Sequence, residues 1–226
     1  MGKGGYLPFT GIRIGRFMLL LISISLLFTL RPLLEGIIGI RFLMDIFVTV
    51  ILLSGIYAAS PSKKIFRVSL MIALPTIVSH WVAFIFKASP LFLISEIFSG
   101  IFFAFMVGII LHYLFAEKNI TTDVLAAAVC AYFMIGLMWS AFYAIIEIVH
   151  PGSFNVSQDF GGSTFYFTYY SFVTLTTLGY GDITPVTAVT KSFSLLEAVT
   201  GQIYIATLLA RLVSINIMQS MQKGSS

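Results

Sequence analysis

Apolar residues run along this chain in blocks of about 20, separated by a few turn-forming or charged residues; such a block covers the roughly 30 Å of hydrocarbon in a bilayer. Six can be drawn: Phe17–Leu34, Ile37–Ala59, Ile65–Phe86, Leu91–Phe115, Val124–Ile146 and Ala188–Ile217. Breakers at Gly36, Pro61, Pro90 and Asn119 keep most connections short, as in a compact helical bundle. The stretch between spans five and six, Glu147 to Thr187, is different. It opens with a polar, turn-rich run, "HPGSFNVSQDFGGS". Then comes "TFYFTYYSFVTLTT", aromatic and apolar but only about 14 residues long, too short to span and suited to a re-entrant helix. Ser163 stands where it would cap that helix, after Gly161 and Gly162. The pattern predicts an all-α membrane protein with six transmembrane helices and a re-entrant helix between helices five and six.

Composition strengthens the membrane assignment. The chain has 226 residues, 58% hydrophobic and 10% charged, and a mean hydropathy of +1.00. Soluble domains carry about 25% charge. The net charge is +4, but no basic cluster is interleaved with exposed aromatics, so nucleic acid is not an expected partner. Membrane lipid is, and a lipid-facing surface accounts for the 22 phenylalanines. Cys130 is the only cysteine, which excludes a disulfide framework or a cysteine metal site within one chain; it reads as a small buried hydrophobe. There is no nucleophile paired with a base, no metal-ligand cluster and no phosphate loop, so neither enzymatic activity nor a cofactor is expected.

Charge also orients the spans. Arg13 and Arg16 precede "FMLLLISISLLFTL" as in a signal peptide, but Arg31 and Pro32 follow in place of a cleavage site, so an uncleaved first span is expected. Tyr6 stands where a myristoylation signal needs Ser or Thr, so Gly2 is not expected to be acylated. With a cytoplasmic N-terminus and six crossings, nine basic residues fall inside: Lys3, Arg13, Arg16, Lys63, Lys64, Arg67, Lys118, Arg211 and Lys223. Four (Arg31, Arg41, Lys87 and Lys191) fall outside or near the outer interface, which obeys the positive-inside rule. Both termini are then cytoplasmic in a multi-pass protein of the plasma membrane, and residues 147–187 enter from the outer side. The closing "GSS" resembles a trimmed tag.

The re-entrant helix leads into "TTLGYGD", Thr176–Asp182. Non-helical backbone at membrane depth is tolerated only when buried in protein or lining a watery path. A dehydrated K⁺ needs several neutral oxygens to replace its hydration shell, and carbonyls facing one axis supply them. Such a backbone takes conformations costly for residues with a Cβ, and Gly179 and Gly181 remove that cost. Leu178 and Tyr180 are expected to point away from the axis and pack against the surrounding helix.

"TTLGYGD" resembles the signature of the potassium-channel family, with Leu178 where valine is more usual. The resemblance covers Val124 to Ile217 as outer helix, pore helix, filter and inner helix. It implies K⁺ sites at Thr177, Leu178, Gly179 and Tyr180, with Gly181 completing the filter and the Thr177 hydroxyl at its inner end. Tyr169 and Tyr170 fall where the family places an aromatic pair bracing the filter. Asp182 matches an acidic residue at the outer mouth. Val173 stands where some members carry a glutamate behind the filter, and Gly201 where the inner helix often has its gating hinge. Thr176 and Glu147 are further candidates for filter support; Glu147 reads equally as a solvated helix end. The pore helix would aim the negative end of its dipole at a central cavity. A filter of this type needs four loops and the chain has one, so the resemblance implies a homotetramer.

The sequence is therefore expected to divide into a cytoplasmic N-terminus (1–16), a four-helix transmembrane domain (17–118), a pore domain (119–217) and a short tail (218–226), and no gating ring is expected after span six unless this chain is part of a longer one. Span four contains no Lys or Arg; its ionisable residues are Glu96 and His112. One charge crossing the field is worth about 2.3 kcal/mol per 100 mV, so steep voltage gating needs several, and none is available there. Arg41 and Asp45 are spaced for an i,i+4 pair, structural or gating. Glu96 fits a functional charge or a partner of Arg41 or Arg31. His80 and His112 fit packing or pH sensing. The expected function is passive, potassium-selective conduction that is not voltage-gated. The alternatives are a K⁺ transporter subunit, whose chains carry four different loops, and a non-conducting sensor or scaffold with a vestigial pore.

Overall fold

The computed structural model describes residues 7–9, 12–34, 40–59, 62–156 and 165–224. Two short strands, β1 (Leu7–Phe9) and β2 (Ile12–Ile14), pair antiparallel ahead of the helices, an element the apolar pattern did not predict. Then come α1 (Arg16–Leu34), α2 (Ile40–Ala58), α3 (Lys63–Phe86), α4 (Ser89–Ala116) and α5 (Thr122–Val149). Strand β3 (Phe154–Val156), the short helix α6 (Phe165–Leu175), strand β4 (Ile183–Pro185) and α7 (Ala188–Gly224) complete the chain. Helices α3, α4 and α5, and α7 over Ala188–Ile215, are long and apolar enough to cross a membrane. Helices α1 and α2 have shorter apolar cores, Arg16–Leu30 and Asp45–Ala58.

The helix ends follow local chemistry. Ser62 and Thr121 cap α3 and α5 by accepting from Ile65 N (3.4 Å) and Val124 N (3.2 Å). Pro90 sits in the first turn of α4, where its missing N–H costs nothing, so that helix begins two residues before the expected Leu91. Thr187 caps α7 through Thr190 N at 3.2 Å. Gly36, Pro61, Gly161, Gly162 and the expected cap Ser163 lie outside the described residues.

Packing proceeds around a ring: α1 on α2, α2 on α3, α3 on α4, α4 on α5, and α1 back onto α5. The first four helices thus close against the α5 of their own chain. The main core lies between them and includes Phe17, Leu20, Ile51, Phe102, Met106 and Met134. At one end, Arg16 pairs with Asp123 at 3.7 Å and lies over the Tyr113 ring at 4.8 Å. Arg211 of α7 reaches the same end, donating to the Glu117 carbonyl at 2.9 Å and covering the Phe115 ring. The start of α1, the α4–α5 turn and the lower part of α7 are therefore joined, with three of the basic residues expected on one side (Arg16, Lys118 and Arg211) in or beside that junction.

At the opposite end, β3 and β4 pair antiparallel, Phe154 against Pro185 and Val156 against Ile183. The loop after α5 is thereby stitched to the segment that follows Asp182. A second, aromatic core of Tyr143, Phe154, Phe167, Tyr170 and Ile183 fills this end.

Candidate functional site

Helix α6 has 11 residues, too few to span, and ends where "TTLGYGD" begins. Its last turn is completed by the loop itself: Thr176 N and Oγ1 donate to the Phe172 carbonyl at 3.0 and 2.6 Å, and Thr177 N donates to Thr174 O at 2.9 Å. The chain then folds back, with Leu178 N and Gly179 N both donating to Val173 O, at 2.9 and 3.4 Å. The loop's amides are thus spent on the helix that precedes it. Among the described residues, nothing hydrogen-bonds to the carbonyls of Thr177, Leu178, Gly179 or Tyr180.

Backbone angles explain how this is possible. Thr177, Gly179 and Gly181 have φ of 61°, 57° and 80°, whereas Leu178 and Tyr180 lie in the ordinary negative range. In a strand of uniform φ, successive carbonyls alternate sides; changing the sign of φ at every second residue brings them to one side. The two glycines adopt positive φ freely. Thr177 does so at a steric cost, so the alternation starts on a residue that carries a Cβ, which the glycine pattern did not predict.

The expected support residues separate into distinct roles. Tyr169 donates its phenol to Asp182 Oδ2 at 2.6 Å, bridging α6 to the loop's far end. That hydrogen bond comes first, and desolvation second, in pushing the Tyr169 phenol up to about 12. Asp182 also accepts from Ile183 N at 3.0 Å. Tyr170 faces the other way, buried against Tyr143 and Phe154, with its phenol 2.5 Å from Ser194 Oγ of α7. Val173 is buried and serves through its carbonyl. Glu147 accepts from Gly152 N at 2.7 Å and Phe154 N at 3.2 Å, so it organises the loop after α5 rather than touching the TTLGYGD segment. Leu178 and Tyr180 are 58% and 67% exposed, so most of the surface expected to be packed is bare within one chain.

Helix α6 is held by rows of contacts on two sides. On α5, Ser140 meets Thr168 at 2.9 Å, the Gly136 carbonyl accepts from Ser171 at 2.7 Å, and Tyr132 donates to the Leu175 carbonyl at 3.2 Å. A Cβ on Gly136 would stand 2.6 Å from the Phe172 ring, which also takes Phe28 of α1 edge-on at 5.0 Å. On α7, Ser194 meets Tyr170, Glu197 meets Ser171, and Gly201 lies so close to Leu175 that a Cβ would clash with its carbonyl oxygen. Helix α7 runs unbroken through Gly201. Close approach therefore gives this glycine a reason of its own, beside the hinge that the resemblance implies. Glu197 escaped the sequence reading, although a lone carboxylate inside an apolar span is a signal of function.

Polar residues of the first four helices form a separate cluster. His80 lies 3.3 Å from Asp45 Oδ1 and 2.7 Å from Ser99 Oγ. With Ser95 and Glu96 they line a cavity of about 150 Å³ that extends to Ser140 and Thr168 beside α6. The described partner of Asp45 is thus His80; the side chains of Arg41 and Arg31 lie outside the described residues, and with them the expected Arg41 pair. His112 is exposed on α4.

Residues 120–217 match the family described as "Ion channel". The matched stretch begins just before α5 and ends within α7, so it contains the whole assembly around α6 and the TTLGYGD loop. No curated protein and no solved structure matches the chain. The chain carries an ion channel domain, and with its long apolar helices it is a membrane protein.

Proposed function

We propose that the protein is a potassium-selective channel that conducts passively as a homotetramer. The observation that carries this reading is the alternating φ of Thr177, Gly179 and Gly181, coupled to carbonyls that take no hydrogen bond among the described residues. Four such loops around an axis would offer stacked rings of neutral oxygens at Thr177, Leu178, Gly179 and Tyr180, a field suited to a dehydrated monovalent cation. Asp182 at the outer mouth would attract cations without entering the rings.

Surface chemistry supports four copies. Along α7, Leu195, Leu196, Val199, Ile203, Leu209 and Val213 are all exposed in the single chain, and so is the loop. A helix this apolar, packed against α5 and α6 on one face, gains its remaining partners from neighbouring copies around the axis. Six spans, both termini in the cytoplasm and a plasma-membrane location complete the reading. The first four helices act on the pore without a voltage sensor, since α4 carries no Lys or Arg.

Flux from liposomes loaded in turn with K⁺, Rb⁺ and Na⁺ tests the proposal. Passive K⁺ and Rb⁺ flux with Na⁺ largely excluded is expected. Equal Na⁺ and K⁺ permeability would remove the selectivity claim. Flux only against a coupled gradient would favour a transporter subunit, and no flux under any condition would favour a non-conducting scaffold.

A further inference from the structure

We propose that Glu197 is a positioning residue of the conduction site: a carboxylic acid held neutral in the protein, whose proton ties α6 to both flanking helices. The claim rests on reading residues 120–217 as a conducting pore.

Glu197 is fully buried within the single chain, about 14 Å along α7 from Ala188. Each carboxyl oxygen has one partner. The Tyr143 phenol of α5 donates to Oε2 at 2.6 Å, and Ser171 Oγ of α6 lies 2.5 Å from Oε1. Tyr143 and Ser171 are themselves fully buried. Three helices therefore meet at one carboxyl group, one turn above the point where Gly201 admits the Leu175 carbonyl. Along both α6 and α7 the step between these two contacts is four residues, so the pair fixes the register of one helix on the other.

Counting protons gives the charge state. Ser171 Oγ carries one hydrogen but lies within bonding distance of two acceptors, Glu197 Oε1 and the Gly136 carbonyl at 2.7 Å. With an ionised carboxylate, one of these short contacts would hold two oxygens together with no proton between them. With the proton on Oε1, the chain runs Glu197 to Ser171 to the Gly136 carbonyl, and every contact carries one hydrogen. The surroundings agree. The groups facing Glu197 are Tyr143 and Tyr132 from α5 and Ser171 and Tyr170 from α6, all uncharged at neutral pH. Tyr170 is engaged with Ser194, which passes its own hydrogen to the Thr190 carbonyl at 2.7 Å. Among the described residues no Lys, Arg or His pairs with Glu197, so nothing offsets the desolvation of a charge there.

The test uses the full chain reconstituted in liposomes, comparing wild type with Glu197→Gln, Glu197→Leu and Ser171→Ala. Infrared difference spectra, wild type minus Glu197→Gln, should contain the C=O stretch of a protonated carboxyl at neutral pH. Glutamine offers an N–H to Ser171 and a carbonyl to Tyr143, so the Na⁺/K⁺ permeability ratio should stay within about twofold of wild type. Leucine fills the volume but strands both partners, and Ser171→Ala breaks the proton chain. Both should raise that ratio by more than about tenfold, the Ala variant covering the case in which the Leu variant does not assemble. A neutral-pH spectrum without the carboxyl band would overturn the neutral acid. Equal ratios in the Gln and Leu variants would overturn the positioning role. Wild type that conducts no K⁺ would remove the pore reading, while the infrared band still decides the charge on Glu197.

Discussion

At the scale of single residues, the loop depends on φ values that L-residues resist. A Cβ placed at positive φ costs on the order of 1–2 kcal/mol. Gly179→Ala puts one where φ is 57°, with no neighbouring atom in the way, so the strain is purely conformational. We expect this variant to assemble but to lose K⁺ flux by more than about tenfold, given that each 1.36 kcal/mol is a factor of ten. Normal flux from an assembled variant would show that this carbonyl need not face the axis. Tyr169 gives a second prediction. Tyr169→Phe deletes the 2.6 Å bond to Asp182, worth about 1 kcal/mol, and should accelerate loss of conduction during sustained flux. Because the phenol's pKa is raised to about 12, the bond is intact below the ordinary tyrosine range near 10 and is lost only as pH rises through the raised value. Wild type and variant should therefore differ by the same factor from pH 6 to about 9. A difference that closes within that window would place another titrating group at the mouth.

At the scale of elements, α6 is too short to be stable alone and is positioned by what it touches. Ser140, Gly136 and Tyr132 face it from α5; Ser194, Glu197 and Gly201 face it from α7. Gly201→Ala separates two roles for that glycine. Overpacking against a backbone carbonyl typically costs 1–3 kcal/mol, and we expect the variant to lower the thermal stability of the assembled protein by several degrees. A hinge alone predicts altered open probability at unchanged stability, so a thermal melt identical to wild type would assign Gly201 to gating and not to packing. The first four helices also touch α6: Phe28 of α1 reaches Phe172 directly, and the cavity of Asp45, His80 and Glu96 ends at Thr168.

For the whole molecule, the exposed α7 face and the exposed loop carry the proposal that several copies form the conducting unit. Crosslinking in the membrane should give species up to a tetramer; a ladder that stops at two would contradict the four-fold arrangement. Gating currents equivalent to several charges per channel would overturn the proposal that the protein is not voltage-gated, because α4 offers no Lys or Arg to carry them. The ring of helices closes on the α5 of its own chain through the short turn around Glu117 and Asn119. The first four helices are therefore packed against α5 within one chain. Arg211, held to the Glu117 carbonyl, extends that connection to the lower part of α7.

The sequence by itself determined the long apolar helices, the short helix between α5 and α7 and the glycine-bearing loop. These follow from local rules: apolar runs of membrane length, capping residues beside breakers, and the conformational freedom of Gly179 and Gly181. Only the tertiary structure decided what each support residue does. Tyr169 and Tyr170 are adjacent in sequence yet brace opposite neighbours, because successive positions on a helix point in different directions. Glu147 turned out to serve its own loop. Glu197 and Gly201 acquired meaning only when α6 was laid against α7, since a carboxyl group and a missing Cβ have no partner until two helices far apart in sequence meet. Helical periodicity is written in one segment of chain; which side chain meets which carbonyl is fixed by packing between segments, and that information is distributed over the whole fold.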